Sequence, residues 1–126
     1  MTEPYPVTRD EMAELRILDI NGVRVPVVVD GRTALVCVSE LCRSAARTQQ
    51  PSRWLATKAA RELVTRVSLV KRMPKESLVI YRQGGVLDGT WMYREVAVAY
   101  ITWLSPGLGE ICHSRIMEII KPKTSL

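Results

Sequence analysis

The dipeptide Asn21-Gly22, set between two runs of β-branched residues, constrains the fold of this chain more than any other local feature. The text from Leu15 to Val29 is Leu-Arg-Ile-Leu-Asp-Ile-Asn-Gly-Val-Arg-Val-Pro-Val-Val-Val. Asn and Gly tolerate the positive φ values of a two-residue type I′ turn, so the text predicts a tight β-hairpin. Pro26 cannot donate to a ladder, which predicts an edge or bulged second strand. Asp30-Gly31 predicts the next turn, and Thr33 to Val38 reads either as a short third strand or as the approach to a helix.

Helical signals follow. Ser39, with Glu40 behind it, is expected to cap a short helix running to about Ala46. The polar segment Arg47-Thr48-Gln49-Gln50-Pro51 is expected to break that helix. Ser52 is then expected to cap a long one, from Arg53 to about Val70 and closed by Pro74. Trp54, Leu55, Ala59, Leu63, Val67 and Val70 recur at spacings of three and four and form one apolar face. Arg53, Thr57, Lys58, Arg61 and Thr65 occupy the other side.

Ser77 to Gln83 and Thr90 to Arg94 predict a second hairpin around Gly84-Gly85-Val86-Leu87-Asp88-Gly89. Glu95 to Leu104 is apolar and too long for an average strand, so it reads as a buried helix, with Trp91, Tyr100, Ile101, Trp103 and Leu104 as core. Ser105-Pro106 supplies a cap and a first-turn proline for a last helix, from about Gly107 to Ile120. The expected fold class is α+β, with two hairpins and about four helices. Two helices joined by a polar turn and followed by a β-ribbon fit a winged helix-turn-helix. Residues 1–13 read as a flexible lead-in, 14–121 as a single domain and 122–126 as a tail.

Charge is concentrated rather than spread. Residues 43–75 carry nine cations against Glu62 alone, a net of +8 in a chain whose total is +5. Residues 1–20 are net −3. A concentrated basic element is the footprint of a polyanion binder. No run approaches the ~18 apolar residues of a spanning helix, and the N-terminus lacks the order of a secretory signal. The expected compartment is the cytoplasm, with no membrane partner.

Enzymatic classes find little support. Cys37, Cys42, Cys112 and His113 would make a Cys-Cys-Cys-His set, but Cys112 and His113 are adjacent on a helix and point about 100° apart. The cysteines read instead as buried and inert. His113 is the only histidine and no Ser-centred motif is present. Gly84-Gly85 lacks the Gly-Lys-(Ser/Thr) of a phosphate loop, and the carboxylates are scattered singly. The expectation is no catalysis, no metal and no cofactor.

The block Gly89-Thr90-Trp91-Met92-Tyr93-Arg94-Glu95-Val96-Ala97-Val98-Ala99-Tyr100-Ile101-Thr102-Trp103-Leu104-Ser105-Pro106 resembles the signature of the KilA-N domain. That family's pattern is a Gly-Thr-aromatic strand, a helix rich in Ala and aliphatics, and Trp-(Ile/Leu)-Ser-Pro. Arg32 to Cys42 and Trp54-Leu55 with Thr57 are similar to the first half of the family, and the likeness spans roughly residues 15–120. Tyr93 stands where many members carry His, and Gly107-Leu108-Gly109 replaces an acidic-aromatic step. The resemblance implies a DNA-binding module, related in fold to fungal APSES domains and found in phages, bacteria and large DNA viruses.

These readings together give an expected double-stranded DNA binder of phage or prophage origin, acting as a transcriptional regulator at the nucleoid of a bacterial host. Its DNA contacts are expected from Arg47, Gln49, Gln50, Ser52, Arg53, Thr57, Lys58, Arg61, Lys71 and Arg72. Arg82, with Gln83, Gly84 and Gly85, is a second candidate at a hairpin tip. Among them Gln49, Gln50, Arg53 and Thr57 suit base edges, because Arg forks onto guanine and Gln onto adenine. The alternative is a phage-encoded interaction module, an antirepressor or inhibitor of a host nucleic-acid machine, with a host or phage protein as partner. A homodimer stays open as well, with Ile111–Ile120 as the segment for its interface.

Overall fold

The computed structural model describes residues 15–30, 33–43, 49–85 and 88–120. The lead-in over 1–13, the tail over 122–126, the turn residue Gly31, Arg47 and the last residues, 44–46, of the helix expected to reach Ala46 lie outside them. The elements run β1 (Leu15–Ile20), β2 (Val23–Asp30), β3 (Thr33–Cys37), α1 (Ser39–Cys42), α2 (Pro51–Leu55), α3 (Lys58–Lys71), β4 (Val79–Arg82), β5 (Gly89–Tyr93), α4 (Arg94–Leu104) and α5 (Pro106–Ile120). A 3-10 turn, Lys75–Ser77, leads from α3 into β4. The described residues thus contain five α-helices where about four were expected.

The first hairpin forms as its turn dictates. Asn21 (φ 55) and Gly22 (φ 90) both take positive φ, and the Gly22 amide donates to Asp19 Oδ1 at 2.7 Å. The two expected hairpins are not separate: the strands make one antiparallel sheet in the order β1-β2-β3-β5-β4. The seam is β3 against β5, with Leu35 opposite Tyr93, Val36 opposite Met92 and Cys37 opposite Trp91.

That order corrects the reading of Pro26. β2 is an interior strand with unbroken register, not an edge or bulged one. Antiparallel pairs alternate between bonded and non-bonded, and counting back from the two-residue turn puts Pro26–Ile17 at a non-bonded pair. On the other side the β2–β3 ladder begins only at Val27. Pro26 therefore sits where neither neighbour needs its amide.

The core lies between the sheet and the last two helices. Val96, Ala97, Tyr100 and Ile101 form the buried stripe of α4, and Gly109, Cys112 and Ile116 that of α5. Ser105 alone joins the two helices. Its N–H donates to the Ile101 carbonyl at 2.8 Å and its carbonyl accepts from Gly109 N at 3.0 Å. Gly109 explains the departure from the family pattern at this point: a Cβ there would meet the Thr102 Cα at 2.8 Å. The helices can approach this closely only over a glycine. Trp103 was expected in the core but is 43% exposed, its ring stacked on Tyr100 with centroids 6.2 Å apart. The reason is phase, since Thr102 and Trp103 follow Ile101 onto the outer side of α4.

All three cysteines are buried and free. Burial pushes the Cys112 thiol up to about 11 from 9.0. Because the folded value is the raised one, the associated stability is complete below pH 9 and is lost as pH rises toward 11. Holding the thiol protonated over that interval corresponds to roughly 2–3 kcal/mol. Denaturant unfolding measured across that interval should show the decline, and Cys112→Ala should flatten it. An identical alkaline slope in both proteins would locate the loss elsewhere.

Candidate nucleic-acid interface

The basic element is two helices, not one. Pro51 opens α2 at the first-turn position, where a missing amide goes unneeded. Ser52 is therefore inside α2 and exposed rather than capping it, and Gln50 holds the cap position. After a break at Ala56, the true cap of α3 is Thr57, whose Oγ1 accepts from Ala60 N at 3.2 Å and donates to the Trp54 carbonyl at 2.7 Å. The helix ends before Pro74: Arg72 turns left-handed (φ 57), and the Met73 amide bonds back to the Ser68 carbonyl at 3.0 Å. Ser39 likewise does not cap α1. Val38 takes that position, and Ser39 Oγ accepts from the Thr90 amide at 2.9 Å.

The break shifts the phase of α3. Ala60, Val64, Val67 and Lys71 face inward, whereas Ala59 and Val70, expected on the apolar face, are exposed. Lys71 consequently lies 3.7 Å from Glu95 Oε2, which ties the end of α3 to the start of α4. At the other end Trp54 is buried against Tyr100, with ring centroids 5.6 Å apart. Tyr100 Oη donates to the Gln49 carbonyl at 2.8 Å, and Gln50 Nε2 to the Cys42 carbonyl at 3.1 Å. Core aromatics thus hold the basic element rigidly at its N-terminal end.

What remains outward is cationic. Arg53 on α2, Lys58, Arg61 and Arg66 on α3, then Arg72 and Lys75 are all exposed. Residues 49–75 hold six cations besides Lys71's inward one and a single acid, Glu62. Lys58 Nζ stands 4.0 Å from Glu62 Oε2, but both side chains are largely in water and such a pair is worth little. The N-terminal partial charge of α3 adds to the field of Arg53, Lys58 and Arg61. This surface can neutralise phosphates and displace their counterions.

The structure thus places Ser52, Arg53, Lys58, Arg61 and Arg72 in solvent. It gives Gln50, Thr57 and Lys71 internal partners, and sets Arg82 half-buried at the end of β4, opposite Gly89. Arg66 and Lys75, counted in the basic stretch but not among the named contacts, also lie in solvent, and so does Tyr81. Tyr81 is 63% exposed on the last strand of the sheet. With Arg61 and Lys75 it borders a cleft of about 290 Å3 over Leu55, Val64 and Val79. The alternation Ile80-Tyr81-Arg82 could have revealed its outward phase. Its nearness to Arg61 depends on how α3 packs.

No group of three His, Cys, Asp or Glu among the described residues is placed to hold a metal ion. None of their helices is long and apolar enough to cross a membrane.

A five-stranded antiparallel sheet backed by helices, carrying a cationic helix pair on an aromatic anchor, defines a small α+β module suited to polyanions. The chain belongs to the KilA-N domain family, whose model matches residues 20–123, and that family is one of DNA-binding modules. No curated protein and no solved structure matches it.

Proposed function

We propose that this chain binds double-stranded DNA through the exposed cations of α2 and α3, as a non-catalytic transcriptional regulator of phage or prophage origin acting at the host nucleoid. The observation that carries the reading is the run of exposed Arg53, Lys58, Arg61 and Arg66 with only Glu62 among them. In the winged helix-turn-helix sense, α3 serves as the recognition helix and the Arg82–Gly85 tip as a wing. Arg53 is the best candidate for a base edge, since Gln50 and Thr57 are engaged in holding the helices. Lys58, Arg61, Arg66 and Arg72 hold phosphates.

A protein partner is the second reading. It is favoured by Leu69 and Val70, which are 73% and 71% exposed at the end of α3. The segment suspected of dimerising offers less, because Cys112 and Ile116 of α5 are buried in the core and Met117 is its exposed large apolar side chain.

The test is titration of a labelled random-sequence duplex at two salt concentrations, repeated with single-stranded DNA. Neutralising about four phosphates gives a log–log salt slope of roughly −3 to −4, or about a hundredfold loss between ~50 and ~200 mM. Absence of duplex binding at low salt would hand the role to a protein partner.

A further inference from the structure

The cleft beside β4 holds a combination that a solvated surface does not need. Tyr81 puts a large ring into water while its neighbour Ile80 is 3% exposed. The floor beneath is aliphatic (Leu55, Val64, Val79), the rim is Arg61 and Lys75, and no carboxylate among the described residues lines it. A ligand filling this space must offer a flat or apolar body and at least one negative charge. A nucleotide does: bases stack on aromatic faces whatever their identity, and cations beside the ring take the phosphates.

We propose that this cleft takes one unpaired nucleotide of bound DNA, its base against Tyr81 and its flanking phosphates on Arg61 and Lys75. The inference rests on the DNA reading above and extends it, because Arg61 belongs both to the outer face of α3 and to this rim. A strand lying on α3 therefore has a continuous cationic path to the sheet edge. At about 290 Å3 the cleft sits at the lower bound of small-molecule pockets, roughly 300–1,000 Å3, which suits a single base. Bases inside a duplex cannot reach it without unstacking, so bulged, mismatched or single-stranded positions are preferred. An acidic peptide would satisfy the cations but makes no particular use of the flat ring.

The experiment compares a fully paired short duplex with the same duplex carrying one bulged 2-aminopurine. The wild-type protein should prefer the bulged duplex and quench the probe. Tyr81→Ala should weaken bulged-duplex binding roughly five- to hundredfold and so remove the preference over the paired duplex. Tyr81→Phe should retain the preference. The ring is exposed, so these variants keep the fold, which circular dichroism checks. Equal wild-type affinity for the two duplexes overturns the proposal, and so does a preference that survives Tyr81→Ala. If Tyr81→Ala affects neither duplex but abolishes binding of a Glu- and Leu-rich peptide, the occupant is a protein segment and the proposal fails. Wild-type protein that binds neither duplex removes the DNA reading and this proposal together, whereas failure of the cleft alone leaves paired-duplex binding in place.

Discussion

Gly89→Ala is expected to lower the melting temperature by more than about 10 °C, and it should do so without touching the basic element. Gly89 has φ +134, a conformation essentially closed to residues with a side chain, and forcing one there costs about 1–3 kcal/mol. The added Cβ would also sit 2.7 Å from Ser39 Oγ and 2.9 Å from Cys37 Sγ. Overpacking of this sort adds roughly another 1–3 kcal/mol. Ser39 cannot retreat freely, because its hydroxyl is bonded to the Thr90 amide one residue along. Together these reach a large share of the ~5–15 kcal/mol that keeps a small domain folded. Gly107→Ala is the control, since nothing lies within 4 Å of its added Cβ. Its change should stay within about 1 kcal/mol. Thermal melts decide the matter: a Gly89→Ala protein melting with the wild type would mean that β5 does not meet β3 and α1 as described. The same geometry gives the physical reason for glycine at the head of the Gly-Thr-aromatic block.

Elements with strong local chemistry were readable from the sequence. Asn21-Gly22 fixed the first turn, the strands flanking residues 83–88 formed the second hairpin, and Ser105-Pro106 marked the joint between α4 and α5. The joining of the two hairpins was not readable. Val36 meets Met92 across more than fifty residues of chain, and no local pattern encodes that choice. Pro26 misled for the same reason: its missing amide argues for an edge only until one knows where the neighbouring ladder begins.

The basic element shows how one unseen break propagates. Reading Arg53 to Val70 as one helix carried the phase of Trp54 and Leu55 across Ala56. That placed Ala59 and Val70 inside and left Lys71 among the outward cations. The cap at Thr57 resets the phase, so Ala60 goes in beside Val67, which was expected there, and Lys71 turns toward Glu95. The charge of the segment was legible from composition alone; which cations are free to meet a partner was not. Tyr81 was missed because a lone tyrosine in a strand gains meaning only from what packs beside it.

Removing Arg53 and Arg61 together should weaken duplex binding on the order of 10- to 100-fold and flatten the log–log salt slope by roughly two units. Each phosphate neutralised by a protein cation contributes ~0.9 to that slope through the counterion it releases, so removing two such cations leaves a signature distinct from a mere fall in affinity. Both side chains are exposed. Substitutions of that kind usually change stability by no more than ~0.5 kcal/mol, so the fold should survive. The decisive comparison is charge-matched: Arg24→Ala with Arg115→Ala removes two exposed cations from β2 and α5 instead. If binding depended only on the +5 total charge, the two double variants would behave alike. If the face built by α2 and α3 is the interface, the first pair flattens the slope and the second leaves it near the wild-type value. Arg53 adds a further discriminant. If its guanidinium holds a phosphate, Arg53→Ala lowers affinity uniformly across sequences. If it forks onto guanine, the same change costs about 1–3 kcal/mol at one base pair and relaxes the preference there. Selection of bound sites with wild type and Arg53→Ala separates the two, and unchanged affinity, slope and site preference in the Arg53/Arg61 variant would take this face out of the interface.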